Sequence, residues 1–100
     1  MNIIFRTRAL EDAYQHIEVG AKKWGGVVAR RYVQRVDILK VVNDLSALRA
    51  YPSLRYHPLK GDREGQHSIK LANRYRLIFT FHGERMETVR IEEVSKHYGD

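Results

Sequence analysis

The sequence predicts an α+β fold: an N-terminal strand, then two helices packed on one face of a small antiparallel sheet. Three observations lead there. Apolar residues recur at helical spacing through the first half of the chain. They alternate with polar ones through much of the second half. Turns rich in Gly, Pro, Asp and Asn mark where one pattern gives way to the other. At 100 residues the chain reads as one domain, residues 1–100, with a single core and no repeat, low-complexity segment or linker.

Asn2 to Arg6 reads as a short strand. Thr7 is placed to N-cap the next helix, its hydroxyl accepting from a backbone N–H one turn on. Glu11 and Asp12 follow in the first turns, where the helix dipole favours anions. Leu10, Ala13, Tyr14 and Ile17 form one apolar face, Gly20 is the predicted stop, and Lys22 to Gly26 a turn. A longer second helix is predicted from about Val27 to Leu48, with Val28, Tyr32, Val36, Leu39, Val42 and Leu45 as its stripe. Arg30, Arg31, Arg35 and Lys40 lie off that stripe and read as a solvated face. Trp24 reads as a staple between the helices.

Pro52 ends any helix, and Pro58 holds His57 extended because its ring crowds the preceding residue. Gly61, Asp62 and Gly65 mark a loop. His67, Ile69 and Leu71 then alternate with Gln66, Ser68 and Lys70, and Ala72 and Asn73 make a turn. In the next run Tyr75, Leu77, Phe79 and Phe81 share one face, and Arg74, Arg76, Ile78 and Thr80 the other. His82 and Gly83 turn the chain into a third run, Met86 to about Glu92. An antiparallel meander is expected, one face on the helices and the other presenting Lys70, Arg74 and Arg76.

Composition narrows the function classes. Hydrophobic residues at 43% and charged residues at 30% argue against disorder. The absence of cysteine excludes disulfides, thiolate metal sites and a Cys nucleophile, and fits a reducing cytoplasm. No apolar run approaches the ~18 residues of a membrane span, and the Ile3–Phe5 patch is too short for a signal-peptide core. Eighteen Lys and Arg against twelve Asp and Glu give +6. From Arg55 to Arg76 there are six Lys and Arg against two Asp and Glu, a net of +4. A basic domain prefers polyanions, of which nucleic acid is the commonest, and clustering favours that reading over solubility charge with no specific partner, while a basic face can also dock an acidic protein.

The segment His57 to Ile69, HPLKGDREGQHSI, followed by Arg74 to Phe81, RYRLIFTF, resembles the HigB-like branch of the RelE/ParE toxin superfamily. The order strand, helix, helix, meander is similar too. The resemblance implies a RelE-like microbial RNase fold and a bacterial toxin of a type II toxin–antitoxin pair. Such a toxin cuts mRNA on the ribosome, inhibits translation and growth, and is silenced by a cognate antitoxin, which also links it indirectly to operator DNA. It further implies that His57 is a catalytic histidine and that Lys60 and Arg76 handle the scissile phosphate. The family's closing acidic-Tyr-His cluster is matched here by His97 and Tyr98 in the opposite order, candidates for the second catalytic group. His67 and Tyr75 stand where the family often has Trp, a difference of packing.

A metal-free endoribonuclease needs a base for the ribose 2′-OH, an acid for the leaving 5′-oxygen and cations for the phosphorane. Histidine suits the proton steps, its pKa of about 6.5 lying near cellular pH, so His57 is the first candidate and His97 the second. Arg suits the phosphate because its fork donates in pairs and keeps its charge. Arg76 takes that role, with Lys70 and Arg74 beside it as a phosphate cradle. Lys60 can stabilise an oxyanion or, desolvated, act as a base. Arg55 and Arg63 are candidates for backbone contacts and Tyr98 for stacking on a base. No His/Asp/Glu cluster has ligand spacing, so neither a metal nor another cofactor is expected. Two alternatives stand beside the nuclease. One is a gyrase inhibitor acting by binding, with His57 dispensable; the other is a catalytically weak RNA- or antitoxin-binding member. The His57–Lys60 motif favours the nuclease.

Overall fold

The computed structural model describes residues 1–96 and opens with the expected strand, β1 (Asn2–Phe5). Thr7 caps α1 (Arg8–Gln15), its hydroxyl accepting from the Leu10 N–H at 3.2 Å. The helical half then departs from expectation. His16 is extended and ends α1, while α2 (Ile17–Trp24) runs straight through Gly20. Gly20 is not a stop but a packing position: a Cβ there would lie 3.0 Å from the Trp24 ring and 3.3 Å from Ala29 Cβ. The break falls at Gly25, whose φ of 86° is a left-handed value that glycine adopts without strain. Trp24 meets Tyr32 edge-on at 5.1 Å, across the junction of α2 and α3 (Gly26–Val41).

The predicted long helix also divides. α3 ends at Val41, Val42 is extended, and Asp44 caps a short helix, α4 (Leu45–Arg49), accepting from Ala47 N–H at 3.2 Å. Ser46 Oγ donates to the same carboxylate at 2.6 Å. These short polar side chains give the backbone a local alternative to continued helix. The apolar stripe continues across the break through Val42 and Leu48, so periodicity alone conceals it. Among the described residues, three main helices and one short one therefore replace the expected two.

The second half forms β2 (His57–Pro58), β3 (His67–Lys70), β4 (Tyr75–His82) and β5 (Thr88–Lys96). The strands align in the order β1-β5-β4-β3-β2. The meander of β3, β4 and β5 is antiparallel as expected, and β2 extends it. β1 pairs parallel with β5, Ile3 opposite Val89 and Phe5 opposite Ile91, so the sheet is mixed and five-stranded. β5 continues past Glu92 to Lys96, with a bulge: Ile78 opposes Glu93 while Phe79 opposes Ile91. Arg74 is a further correction. Asn73 and Arg74, at φ 58° and 93°, form the β3–β4 turn, so Arg74 stands at the hairpin end and not on the sheet face. His82 closes β4, and the turn begins at Gly83.

The core lies between the helices and one face of this sheet. Leu10, Ala13, Val28, Tyr32, Val36 and Leu39 meet Ile69, Leu71, Leu77, Phe79, Val89 and Ile91. Tyr32 is fully buried, its hydroxyl donates to Leu10 O at 2.7 Å, and burial raises its pKa. The opposite sheet face is left to carry the site. Among the described residues no helix is long and apolar enough to cross a membrane.

Candidate active site

Strand register assembles the site. His57 on β2 pairs with Ser68 on β3, and Ser68 pairs with Ile78 on β4. One row on, Lys70 pairs with Arg76, and Arg76 with Ser95. Side chains alternate along strands, so His57, Ser68, Lys70 and Arg76 share the face turned away from the helices.

Arg76 is the centre of this group. Its Nε donates to Ser68 Oγ, its Nη2 donates to Arg55 O at 2.8 Å, and Nη2 lies 3.4 Å from His57 Nδ1. Arg55 supplies that carbonyl because its backbone is left-handed, at φ 45°. The same carbonyl lies 3.4 Å from His57 Nδ1. A carbonyl, a guanidinium and one imidazole nitrogen thus meet at a point. Nδ1 faces that cluster, which leaves Nε2 of the exposed His57 as the nitrogen that can reach a substrate.

The segment carrying His57 is anchored from the other side. Tyr56 OH and His67 Nδ1 are 2.7 Å apart, with the rings stacked at 5.8 Å. His67 stacks on Phe79 at 5.6 Å and meets Phe81 edge-on at 4.8 Å. Burial lowers the His67 pKa, which favours the neutral ring. Burial raises the pKa of Tyr56, with Arg49, 5.0 Å above its ring, opposing. His67 is therefore a packed sheet residue, on the face it shares with Ile69.

The remaining candidates are more dispersed. Lys60 is exposed at the start of the 3₁₀ turn Gly61–Arg63. Arg63 forms an ion pair with Glu93 at 2.8 Å, which ties the loop to β5. Arg55 acts through its carbonyl, and its side chain is exposed. Lys70 lies beside Arg76, and Arg74 at the hairpin end. His97 and Tyr98 lie outside the described residues. Among the described residues, no group of three or more His, Asp or Glu is arranged to hold a metal ion.

Ser68, the Arg55 carbonyl and Tyr56 are the participants that sequence reasoning missed. The alternation of His67, Ser68 and Ile69 does put Ser68 on the polar face. That it lands beside Arg76 depends on register.

The model of the HigB-like toxin family, described as the RelE-like toxin of the type II toxin–antitoxin system HigB, matches residues 4–93. The chain belongs to this family. This HigB-like toxin is similar in fold to several solved structures. One is a YoeB/ParE toxin from Agrobacterium tumefaciens: 16% identity, 98% of this chain and 100% of the other covered, TM-score 0.61. A second is the YoeB–YefM complex from Staphylococcus aureus: 19% identity, 98% of each chain covered, TM-score 0.62. A third is YafQ from E. coli: 15% identity, 95% and 91% covered, TM-score 0.63. No curated protein sequence matches the chain.

Proposed function

We propose that this toxin is a metal-independent endoribonuclease that cuts mRNA on the ribosome. The observation that carries the reading is the contact of Arg76 with His57, 3.4 Å apart on the open sheet face. It supports the reading because an imidazole suits proton transfer and a guanidinium suits phosphate.

In this reading Arg76 binds the scissile phosphate and stabilises the charge that builds on the phosphorane, with Lys60 and Lys70 as further cations. His57 acts through Nε2 as one member of the acid/base pair, worth roughly 10²–10⁴ in rate. The other member comes from His97 or Tyr98. The ribose 2′-oxygen loses its proton and attacks the adjacent phosphorus. The bond from phosphorus to the 5′-oxygen breaks, and that oxygen leaves protonated. The products are a 2′,3′-cyclic phosphate and a free 5′-hydroxyl. Inhibition of translation follows from loss of message. A cognate antitoxin is the protein partner, a reading supported by the YoeB–YefM toxin–antitoxin complex of similar fold.

The test is induced expression with mapping of mRNA 5′ ends, wild type beside His57→Ala. New 5′-hydroxyl ends within coding sequence are expected for the wild type and their loss for the variant, with an unchanged circular dichroism spectrum. Growth arrest with intact transcripts would defeat the reading.

A further inference from the structure

Arg31 and Arg35 stand one turn apart on α3, and both point at the end of the β3–β4 hairpin. Arg35 is only 8% exposed, and its Nε donates to Lys70 O at 3.1 Å. Arg31 Nη1 donates to the next carbonyl, Leu71 O, at 3.4 Å. Burial, and then the neighbouring Arg31 charge, lower the Arg35 pKa. A buried guanidinium ordinarily comes with a carboxylate. Among the described residues no carboxylate lies within ion-pair distance of Arg31, Arg35, Lys70 or Arg74.

The arginine–carboxylate pairs among the described residues lie elsewhere. Arg6 and Arg90 pair with Glu92, Arg8 with Asp12, and Arg63 with Glu93. Like charges at i and i+4 on a helix also repel. The hairpin adds a further cost, for Arg74 is held at φ 93°, a conformation favourable only for glycine. Backbone strain of this kind clusters at ligand-binding and switch regions. A desolvated cation, a like-charged neighbour and a strained exposed arginine thus meet at one end of one hairpin. A polyanion relieves the electrostatic part of all this. Lys70 is the register partner of Arg76, so the cluster continues directly from the proposed scissile-phosphate site.

We propose that the end of the β3–β4 hairpin is a second phosphate-backbone site, in which Arg31, Lys70 and Arg74 receive the RNA strand leaving Arg76 and lead it toward α3. Arg35 is its positioning residue, holding the end of β3 through the Lys70 carbonyl. The inference rests on the reading that Arg76 takes an RNA phosphate.

The experiment measures binding of a short 2′-O-methyl oligoribonucleotide, which cannot be cleaved, as a function of salt. Each lost phosphate contact on a single strand lowers the slope of log K against log salt by about 0.7. The exposed double variant Arg31→Gln/Arg74→Gln is expected to lower it by about 1.4. Lys22→Gln/Lys23→Gln at the end of α2 removes equal charge and is expected to leave the slope unchanged. Thermal melts establish that both variants fold. Equal loss in the two variants, no loss in the first, or no binding by the wild type overturns the proposal. Tighter binding of polyglutamate than of RNA, lost on Arg31→Gln/Arg74→Gln, also overturns it and assigns the surface to an acidic protein. Cleavage of unmodified mRNA on ribosomes is followed in parallel. A wild type that binds as expected but never cleaves defeats the nuclease and leaves the second site standing. A wild type that cleaves, with the slope unmoved by Arg31→Gln/Arg74→Gln, defeats only the second site.

Discussion

The open sheet face holds arginines at both ends, in two different ways. At the β1 edge, Arg6 and Arg90 converge on Glu92 at 3.7 and 3.6 Å, and Glu92 also accepts from Thr80 Oγ1 at 2.7 Å. Arg6 Nε donates further to the Glu92 carbonyl at 2.7 Å. At the β2 end, Arg76 donates to the Ser68 hydroxyl and the Arg55 carbonyl, with the His57 ring beside it. A carboxylate fixes a guanidinium and cancels its charge. A hydroxyl or a carbonyl orients it by its dipole. The first arrangement holds an edge strand to its neighbours; the second sets a guanidinium beside an imidazole.

Substitution at the two ends should separate activity from stability. Arg76→Ala is expected to lower the single-turnover cleavage rate by about 10²–10³, the loss typical of one transition-state donor, with little change in melting temperature. Glu92→Ala is expected to leave the rate unchanged and to cost about 1–3 kcal/mol of stability, or ~4–8 °C of melting temperature per kcal/mol for a domain of this size. Equal rate losses in both variants would erase the distinction.

A smaller effect sharpens the picture within the β2 end. Ser68 is fully buried and accepts from Arg76 Nε. Ser68→Ala leaves Arg76 its other contacts but loosens its orientation, so about a tenfold fall in kcat is expected, equivalent to about 1.4 kcal/mol. Thr80→Ala, the matching change at the other end, should leave kcat where it was. A fall of the same size for Thr80→Ala would count against the orienting role.

The smallest effect is one of pH. Burial lowers the His67 pKa below the value of about 6.5 that it has in an unfolded chain. The unfolded state therefore binds the extra proton as pH falls. The stability tied to the neutral ring is complete above that unfolded value and is lost as pH drops from it through the lower folded pKa. Melting temperature should decline from pH 7 toward pH 5, and His67→Gln should flatten that decline. An unaltered profile in His67→Gln would assign the acid sensitivity to other groups.

Local patterns were legible where a residue's role depends on its immediate neighbours. The Thr7 cap, the alternation of Leu77 and Phe79 and the stripe from Val28 to Leu39 all appear as the chain reads. Breaks were harder to see. Gly20 has the composition of a stop, yet its small side serves the Trp24 ring, which approaches from within the same helix. Val42 to Asp44 interrupts a helix while the apolar period continues, because the hydrophobic phase survives a short non-helical link. The two features that depend on distant pairing, β1 beside β5 and the Arg31–Arg35 grip on the hairpin, leave no local mark.

The α+β class, the apolar sheet face and the concentration of cations between Arg55 and Arg76 were all legible in the order of residues. That order also set the family to which the chain belongs. Those properties follow from side-chain period, composition and motif, which are local. It took the folded chain to bring Ser68 and the left-handed Arg55 carbonyl onto Arg76 and to set Arg76 beside His57. Those outcomes depend on strand register and helix placement, and a shift of one residue in register would carry His57 or Arg76 to the opposite face.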